Sequence, residues 1–282
     1  MPDAAGLIAV TGSTGRIGGS VAAELAGLGV PMRLLVRDPS RAPSYDGVEV
    51  RTASYDDKGA GVAALDGVKT LFMVSASESE QRVVEHKTFV DAAVAAGVER
   101  IVYTSFYGAA PDATFLLARD HWVTEQHIAA GPLAWTFLRD NLYADYLPLF
   151  VGDDAAIRGP AGDGRVAAVA QDDVAAVATV VLCDVAAHAN TCYELTGPEA
   201  LTLAEAAETI TRLTGRETRF MDETLEEAYA SRASYGAPAW QVDAWVSTYT
   251  AIATGELSAV TDHVESLLGR KPLSLADLLA RP

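Results

Sequence analysis

The sequence predicts an α/β fold, a doubly wound parallel sheet with a smaller α/β lobe towards the C-terminal end. An apolar run at 7–10 leads directly into a glycine-rich turn, and short apolar runs then alternate with helical stretches as far as residue 139. This alternation is typical of a parallel sheet that helices cover on both faces. The rhythm changes after about residue 150, so we expect one domain at 1–150 and a smaller lobe at 151–282, interleaved with the sheet.

The glycine-rich turn follows the first predicted strand and carries Gly12, Gly15 and Gly18 at three-residue spacing. Backbone approaches a pyrophosphate closely at such a turn, and the following helix offers unpaired N–H groups at its positive end. With a second strand at 32–36, the segment has the length of a βαβ unit, which predicts a Rossmann-type dinucleotide site. The alternative is a tight turn that binds no ligand. The predicted cofactor contacts in the turn are Gly12, Ser13, Thr14, Gly15, Arg16, Ile17 and Gly18.

The residue that ends the second strand indicates the type of cofactor. An NAD site usually has an acid there, which binds the ribose 2′-hydroxyl, whereas this chain has Arg37. A guanidinium pairs with a 2′-phosphate, and Arg16 in the turn is placed to approach the same group. Arg33 and Arg41 are expected to be surface charges. The pattern favours NADP(H), while Asp38 keeps NAD(H) open as the second choice.

Further strands are predicted at 48–52, 70–74, 101–105 and 135–139, with helices at 81–96 and 115–130. The first of these helices is expected to turn Val84, Val90 and Val94 inward. Ligands of such folds bind at the carboxyl ends of the strands, so Ser75 and Ser105 join the predicted cofactor contacts. The strand-end positions expected to converge on one crevice are Gly12, Arg37, Ser75, Ser105 and Arg139.

Asp56 follows the third strand and has two readings. It contacts the adenine amino group of the cofactor, or it caps or lies in the first turn of the next helix. Ser105 is likewise either a ligand contact or a cap.

The C-terminal lobe is expected to cover the crevice and supply the wall of the substrate site. A short strand is predicted at 165–170, a helix at 172–183 and a strand at 193–196. Thr202 and Glu205 form the pattern of a capping box, and the segment at 272–277 repeats that design.

Composition narrows the class of partner. The chain has 282 residues and a formal charge of −17, which disfavours nucleic acid and anionic membranes as partners. Cys183 and Cys192 are its two cysteines, and they fit neither a metal-ligand spacing nor a disulfide framework. We expect no metal, no signal peptide, no membrane span and a cytoplasmic protein.

Several longer stretches carry a family resemblance. They are the turn at 10–19, Leu-Val-Arg-Asp-Pro at 35–39, Ala-Ala-Gly-Val-Glu-Arg-Ile-Val-Tyr-Thr-Ser at 95–105, His-Trp-Val-Thr-Glu at 121–125, Leu-Arg-Asp-Asn-Leu-Tyr at 138–143 and Ala-Gly-Asp-Gly-Arg at 161–165. Taken in order, they resemble the atypical short-chain dehydrogenase/reductases, and most closely the NmrA-like branch with its quinone and triphenylmethane reductases. The resemblance covers essentially the whole chain. It implies a Rossmann domain, a small C-terminal lobe and bound NADP(H).

The catalytic Tyr-x-x-x-Lys pair of the ordinary members is missing, since no tyrosine here has a lysine four residues later. By analogy with the family layout, Leu117 stands at the tyrosine position and His121 at the lysine position. Reduction of a simple ketone needs a positioned acid, whereas a quinone or a cationic dye needs mainly hydride delivery and stacking. His121 either orients the nicotinamide ribose, donates a proton or is structural. The candidate catalytic residues are His121 and Tyr143.

Aromatic side chains near the predicted crevice offer flat apolar surface to an acceptor. The predicted substrate contacts are Phe106, Tyr107, Trp122, Asn141 and Tyr143. Thr124, Glu125 and Gln126 are expected to be helix-face residues.

These observations favour an NADPH-dependent reductase that passes hydride, without flavin, to a quinone or similar conjugated small molecule. The alternatives are an NmrA-like dinucleotide-sensing regulator with no turnover and a biosynthetic imine or enone reductase. The resemblance allows a monomer or a homodimer.

Overall fold

The computed structural model describes residues 6–281 of the chain. Strands and helices alternate in its first half, at the places that the sequence predicted except for the helix at 58–64, for which no bounds were predicted. These elements are β1 (Ile8–Thr11), α1 (Arg16–Gly27), β2 (Met32–Val36), β3 (Glu49–Thr52), α2 (Lys58–Ala64), β4 (Thr70–Met73), α3 (Arg82–Ala95), β5 (Arg100–Phe106), α4 (Leu116–Ala129) and β6 (Ala134–Asp140).

The second half contains more helix than the sequence predicted. Its elements are β7 (Ala156–Gly159), β8 (Arg165–Val166), α5 (Gln171–Cys183), β9 (Thr191–Leu195), β10 (Leu201–Thr202), α6 (Leu203–Thr214), β11 (Arg219–Asp222), α7 (Leu225–Arg232), α8 (Ala239–Ala253), α9 (His263–Leu268) and α10 (Leu275–Leu279). The strand predicted at 165–170 is only the two-residue β8, which pairs with β10. The capping boxes at Thr202–Glu205 and Ser274–Asp277 are confirmed, and α7 has a third at Thr224–Glu227.

A seven-stranded sheet has the order β3-β2-β1-β4-β5-β6-β9. Parallel pairing runs from β3 through β2, β1 and β4 to β5, with Val10 opposite both Leu34 and Phe72. The order reverses between β1 and β4, which is the switch point of a doubly wound sheet. All four residues of β1 are buried, as a central strand requires. The predicted Rossmann-type parallel sheet is therefore confirmed.

The described chain divides into two compact units, each made of three segments. The first unit comprises residues 6–105, 120–139 and 174–193, and the second comprises 106–119, 140–173 and 194–281. Leu71, Phe89 and Ile128 lie in the core of the first unit, while Ile157 and Ile252 lie in that of the second. The predicted division near residue 150 stays a prediction.

Helix α3 buries a different face from the one that the sequence suggested. Val84 is 58% exposed and Val94 36% exposed, so only Val90 of the three valines points into the core. The buried face includes Arg82 and His86. These polar residues turn inward because the first unit supplies hydrogen-bond partners for both. The prediction was confirmed for Val90 and was wrong for Val84 and Val94.

Candidate active site

The turn after β1 depends on two of its glycines. Gly12 has a φ of +65°, in the left-handed region that favours glycine. A Cβ on Gly18 would lie 2.4 Å from the carbonyl oxygen of Gly12 and 2.6 Å from that of Thr11. The start of α1 therefore packs against the end of β1 more tightly than any side chain allows, which is the close helix–strand packing of dinucleotide sites.

The N-terminus of α1 fits an anionic group. Gly15 is the N-cap residue, it makes no side-chain capping bond, and no acid lies in the first turn. The hydroxyl of Ser13 is buried and has no hydrogen-bond partner within residues 6–281. Thr14 and Arg16 are exposed beside it. Uncapped backbone donors together with an orphaned hydroxyl match the phosphate cradle that the glycine spacing predicts.

Tyr55 supports the turn from the loop after β3. Its hydroxyl oxygen lies 2.7 Å from Oγ1 of Thr11 and 2.6 Å from the carbonyl oxygen of Val74, and its ring stacks on Phe89 at 4.5 Å between centroids. Burial raises the pKa of the phenol. The sequence analysis missed this residue, because a lone tyrosine beside Asp56 gives no signal of which groups its hydroxyl reaches.

The exposed Arg37 follows β2 directly, and among residues 6–281 its guanidinium forms no ion pair or hydrogen bond. The neighbouring Asp38 caps a 3-10 turn, where its carboxylate accepts bonds from the N–H and the hydroxyl of Ser40 at 3.0 and 2.7 Å. These two bonds lower the pKa of the Asp38 carboxyl. At this strand end the base is available to a ligand, while the acid is engaged by its own loop.

Arg33 is not the surface charge that we expected. Its side chain is buried, donates to Oε2 of Glu49 at 2.7 Å and bonds two backbone carbonyls. Arg33 is therefore structural.

Asp56 is exposed and accepts a bond from the hydroxyl of Ser54. The N-cap of α2 is Asp57, which accepts from the N–H of Ala60, and the first turn of α2 contains no acid. The capping interpretation of Asp56 was wrong, and its contact with adenine stays a prediction.

His121 is buried, and both of its ring nitrogens are bonded. Nη2 of Arg82 lies 2.9 Å from Nε2, and the hydroxyl of Tyr103 lies 2.9 Å from Nδ1. Because a guanidinium only donates, Nε2 accepts and the proton sits on Nδ1, directed at Tyr103. Burial, and then the charge of Arg82, hold the pKa of His121 well below its usual range. This geometry fits a structural histidine better than a proton donor.

His86 continues the same cluster. The N–H of Ala76 donates to Nε2 of His86 at 2.8 Å, so Nδ1 carries the proton and faces Oγ1 of Thr124 at 3.0 Å. Burial, reinforced by the charge of Arg82, lowers the pKa of His86 to about 3. Two neutral histidines thus lie within a bonded polar cluster inside the first unit.

Glu125 was expected on the helix face, yet it is 1% exposed, and Thr124 beside it is also buried. The carboxylate of Glu125 pairs with Arg139 through bonds of 2.8 and 2.6 Å, and it accepts from the hydroxyl of Ser105 at 2.6 Å. The helix-face expectation was wrong for both residues. Ser105 of β5 and Arg139 of β6 supply polar partners for Glu125, and His86 of α3 supplies one for Thr124. Ser75, a predicted cofactor contact after β4, is held by its backbone: its N–H donates to Oγ1 of Thr104 at 2.8 Å.

An aromatic pocket lies in the second unit. It has a volume of about 240 Å³, and Phe106 and Phe115 contribute rings whose centroids are 4.6 Å apart. Its lining residues are Phe106, Tyr107, Gly108, Ala110, Asp112, Ala113, Phe115, Ala118, Glu256 and Leu257. The pocket brings together Phe106 and Tyr107 of the predicted substrate contacts. Trp122, Asn141 and Tyr143 are not among the lining residues.

Asn141 uses both amide atoms within the second unit. Nδ2 donates to the carbonyl of Leu257 at 3.0 Å, and Oδ1 accepts from the N–H of Leu142 at 2.7 Å. The half-buried Tyr143 donates its hydroxyl to Oδ2 of Asp140 at 3.0 Å. Asn141 has the bonding of a structural residue, and the contacts of both residues with substrate stay predictions.

Two absences concern residues 6–281 only. No group of three or more histidine, cysteine, aspartate or glutamate side chains there is arranged to hold a metal ion. Within the same range, every helix is too short or too polar to cross a membrane.

The parallel sheet, the glycine cradle and the basic strand end define a protein of the dinucleotide-binding α/β class. The chain belongs to the NmrA-like family, whose sequence pattern matches residues 4–237. It is 32% identical over 279 residues to quinone oxidoreductase 2 of Escherichia coli (strain K12), with 96% of each chain covered.

Solved structures agree with this assignment. An Escherichia coli NADPH-dependent quinone oxidoreductase complexed with NADPH has a TM-score of 0.88 at 32% identity, over 97% of this chain and 98% of that one. Triphenylmethane reductase of Citrobacter sp. complexed with NADP(H) has a TM-score of 0.85 at 30% identity, over 96% of this chain and 98% of that one.

Proposed function

We propose that the protein is an NADPH-dependent reductase that transfers hydride to a quinone or a similar conjugated acceptor. The observation that carries the proposal is that helix α4 presents no acid to a substrate: Leu117 stands at the tyrosine position, and the ring proton of the buried His121 is directed at Tyr103. Acceptors that need mainly hydride suit such a site better than simple ketones do. The similarity to a quinone oxidoreductase and to a triphenylmethane reductase supports the same acceptor class.

The first unit holds the cofactor in this proposal. The backbone donors of the turn at 12–18 and the hydroxyl of Ser13 bind the pyrophosphate, while Arg37 and Arg16 bind the 2′-phosphate. Asp56, Ser75 and Ser105 are the remaining proposed contacts. The hydride comes from bound NADPH, without flavin, and NADH is the weaker alternative. The Asp38–Ser40 bonds support this order, because they engage the acid that would otherwise favour NAD.

The second unit holds the acceptor. Phe106, Tyr107 and Phe115 give the pocket flat apolar walls, which stack on a conjugated ring and exclude water from it. We further propose a cytoplasmic monomer or homodimer, in keeping with two cysteines that form no disulfide bond and with an acidic chain.

Loss of NADPH absorbance on addition of a panel of quinones and dyes tests the proposal. Phe106→Ala should raise KM for the acceptor, whereas Tyr235→Ala, at a residue 72% exposed, should leave it unchanged. Cofactor binding is measured separately by calorimetry. NADPH binding without turnover of any acceptor, together with discrimination between NADP⁺ and NADPH, would favour the regulatory alternative instead.

A further inference from the structure

We propose that Asp140 is a positioning residue that holds a proton for Tyr143, through which that proton reaches the reduced acceptor. The proposal rests on the reductase function and deepens it. Hydride addition to a quinone leaves an oxyanion, whose neutralising proton would otherwise come from water. The second unit contains a more direct source.

The position of Asp140 is unusual for a carboxyl group. It is the last residue of β6 and is 1% exposed. Its Oδ2 lies 3.0 Å from the hydroxyl oxygen of Tyr143, whereas its Oδ1 is buried without a hydrogen-bond partner among residues 6–281. A buried carboxylate normally has its lone pairs satisfied, so an orphaned oxygen favours the protonated acid.

The surrounding charges also favour the protonated form of Asp140. Within the described residues no lysine, arginine or histidine forms an ion pair with Asp140, and the adjacent Arg139 pairs with Glu125. Burial raises the pKa of Asp140 well above its usual range. Burial and the lack of a paired cation therefore both favour the protonated form of this carboxyl group.

The pair lies next to the aromatic pocket. The backbone N–H of Tyr107, a lining residue, donates to the carbonyl oxygen of Asp140 at 2.9 Å. The side chain of Tyr143 is half-buried, with its ring edge-on to Tyr146 at 5.4 Å. A buried acid is thus joined through one hydrogen bond to a hydroxyl in a more exposed position.

The proton balance is simple. At rest the Tyr143 hydroxyl donates to Oδ2 of Asp140. As the hydride arrives, this hydroxyl turns to the acceptor oxygen and gives up its proton, and rotation of the protonated Asp140 carboxyl brings its O–H to the Tyr143 oxygen, to which it returns a proton. Two O–H bonds break, one at each residue, and two form, one on the acceptor and one again at Tyr143. Asp140 is left as a carboxylate and regains its proton from water before the next turnover. The net reaction consumes one hydride and one proton for each quinone.

Two acceptors separate this role from a purely structural one. A para-quinone needs a hydride and a proton, whereas a triarylmethyl cation such as crystal violet needs the hydride alone. We expect Asp140→Asn, which keeps the shape but holds no acidic proton, to lower kcat with a naphthoquinone about 10²-fold, at the low end for a positioned acid. Turnover of the dye should be unchanged.

Tyr143→Phe should show the same selective loss, and the double variant should lose no more than either single one. Tyr146→Phe is the matched control and should leave both acceptors unaffected. The wild-type kcat with quinone should fall as pH rises through the pKa of Asp140, and in Asp140→Asn this fall should disappear. Fluorescence titration with NADPH checks that each variant is folded and binds cofactor.

The outcomes are distinct. Equal losses with quinone and dye, or a pH profile that Asp140→Asn leaves unchanged, would overturn the proton-holding role and leave the reductase function standing. If the protein reduces the quinone but not the dye, the comparison of the kcat–pH profiles of the wild type and Asp140→Asn decides whether Asp140 holds the proton. A wild-type protein that reduces neither acceptor contradicts both proposals.

Discussion

Arg82 donates a hydrogen bond to Nε2 of His121 across 2.9 Å in the interior of the first unit. A protonated imidazole would point a second N–H at this donor, so the contact fixes both the tautomer and the neutral state of the ring. With His86 also neutral, the unit contains two histidines whose protonation in the fold is unfavourable.

We expect the free energy of unfolding to fall as the pH is lowered from 7 to 5. Both histidines have lowered pKa values in the folded state, while in the unfolded chain they titrate at about 6.5. Their contribution is present above that value and is lost below it, by about 1.4 kcal/mol per pH unit for each histidine. Urea unfolding over a series of pH values measures the slope.

His86→Gln should reduce this slope by the contribution of one histidine. Asp140 acts in the opposite direction, since its pKa is raised in the fold and its stabilisation is lost as the pH rises. Asp140→Asn should therefore steepen the loss in acid, and a slope unchanged in both His86→Gln and Asp140→Asn would contradict these assignments.

The glycine cradle allows a matched pair of alanine substitutions. Gly18→Ala should abolish dinucleotide binding, because its Cβ would lie 2.4 Å from the backbone oxygen of Gly12. Gly27→Ala in the same helix meets nothing within 4 Å and should stabilise the protein by about 0.5–1 kcal/mol. Calorimetric titration with NADPH and thermal unfolding measure both effects. Normal cofactor binding by Gly18→Ala would show that the turn is not the cradle.

Arg37→Asp should weaken NADPH binding by about 1.5–3 kcal/mol, the value of a charge-assisted bond, and should affect NADH far less. Arg41→Asp makes the same change of charge at an exposed position a few residues further on and controls for the general field. Dissociation constants for both cofactors measure the difference. Equal weakening of NADPH and NADH would remove Arg37 from the phosphate site.

The charge of the pocket predicts a preference among acceptors. Asp112 and Glu256 are charged lining residues, and the lining set includes no lysine, arginine or histidine. We expect kcat/KM to be higher for cationic dyes than for sulfonated ones, and Asp112→Asn to narrow the ratio about fivefold, equivalent to about 1 kcal/mol for one solvated charge pair. Asp163→Asn, at an exposed site outside the lining, should leave the ratio unchanged. A wider ratio in Asp112→Asn would refute the electrostatic explanation.

The sequence predicted the sheet well because its strands are short apolar runs that are clearly bounded by turns and helices. Val10, Leu34 and Phe72 are apolar because neighbours cover them on both sides, and no distant contact is needed to recognise this pattern. The role of Gly18 could also be predicted from the sequence, since the backbone atoms that exclude a side chain there belong to residues only a few positions away.

The burial of polar side chains could not be predicted from the sequence in the same way. Arg82, Glu125 and Asp140 look like surface residues, and their interior positions depend on partners far away in the sequence or, for Asp140, on a strand end. Spacing identified Asp56 as a possible cap, but it could not decide between that residue and the adjacent Asp57. Helices α7 and α8 were missed because no buried strand flanks them to mark an alternating pattern.

The loop after β2 places Arg37 and Asp38 at consecutive positions. An arginine there favours NADP(H), and an aspartate favours NAD(H). The hydroxyl and N–H of Ser40 engage the aspartate, and all three residues are exposed. In the proposed cofactor site, the balance between the two preferences therefore depends on a surface side chain that the core does not need. Substitutions in such a loop could therefore change the preference between NADP(H) and NAD(H) during evolution without disturbing the packing of the sheet.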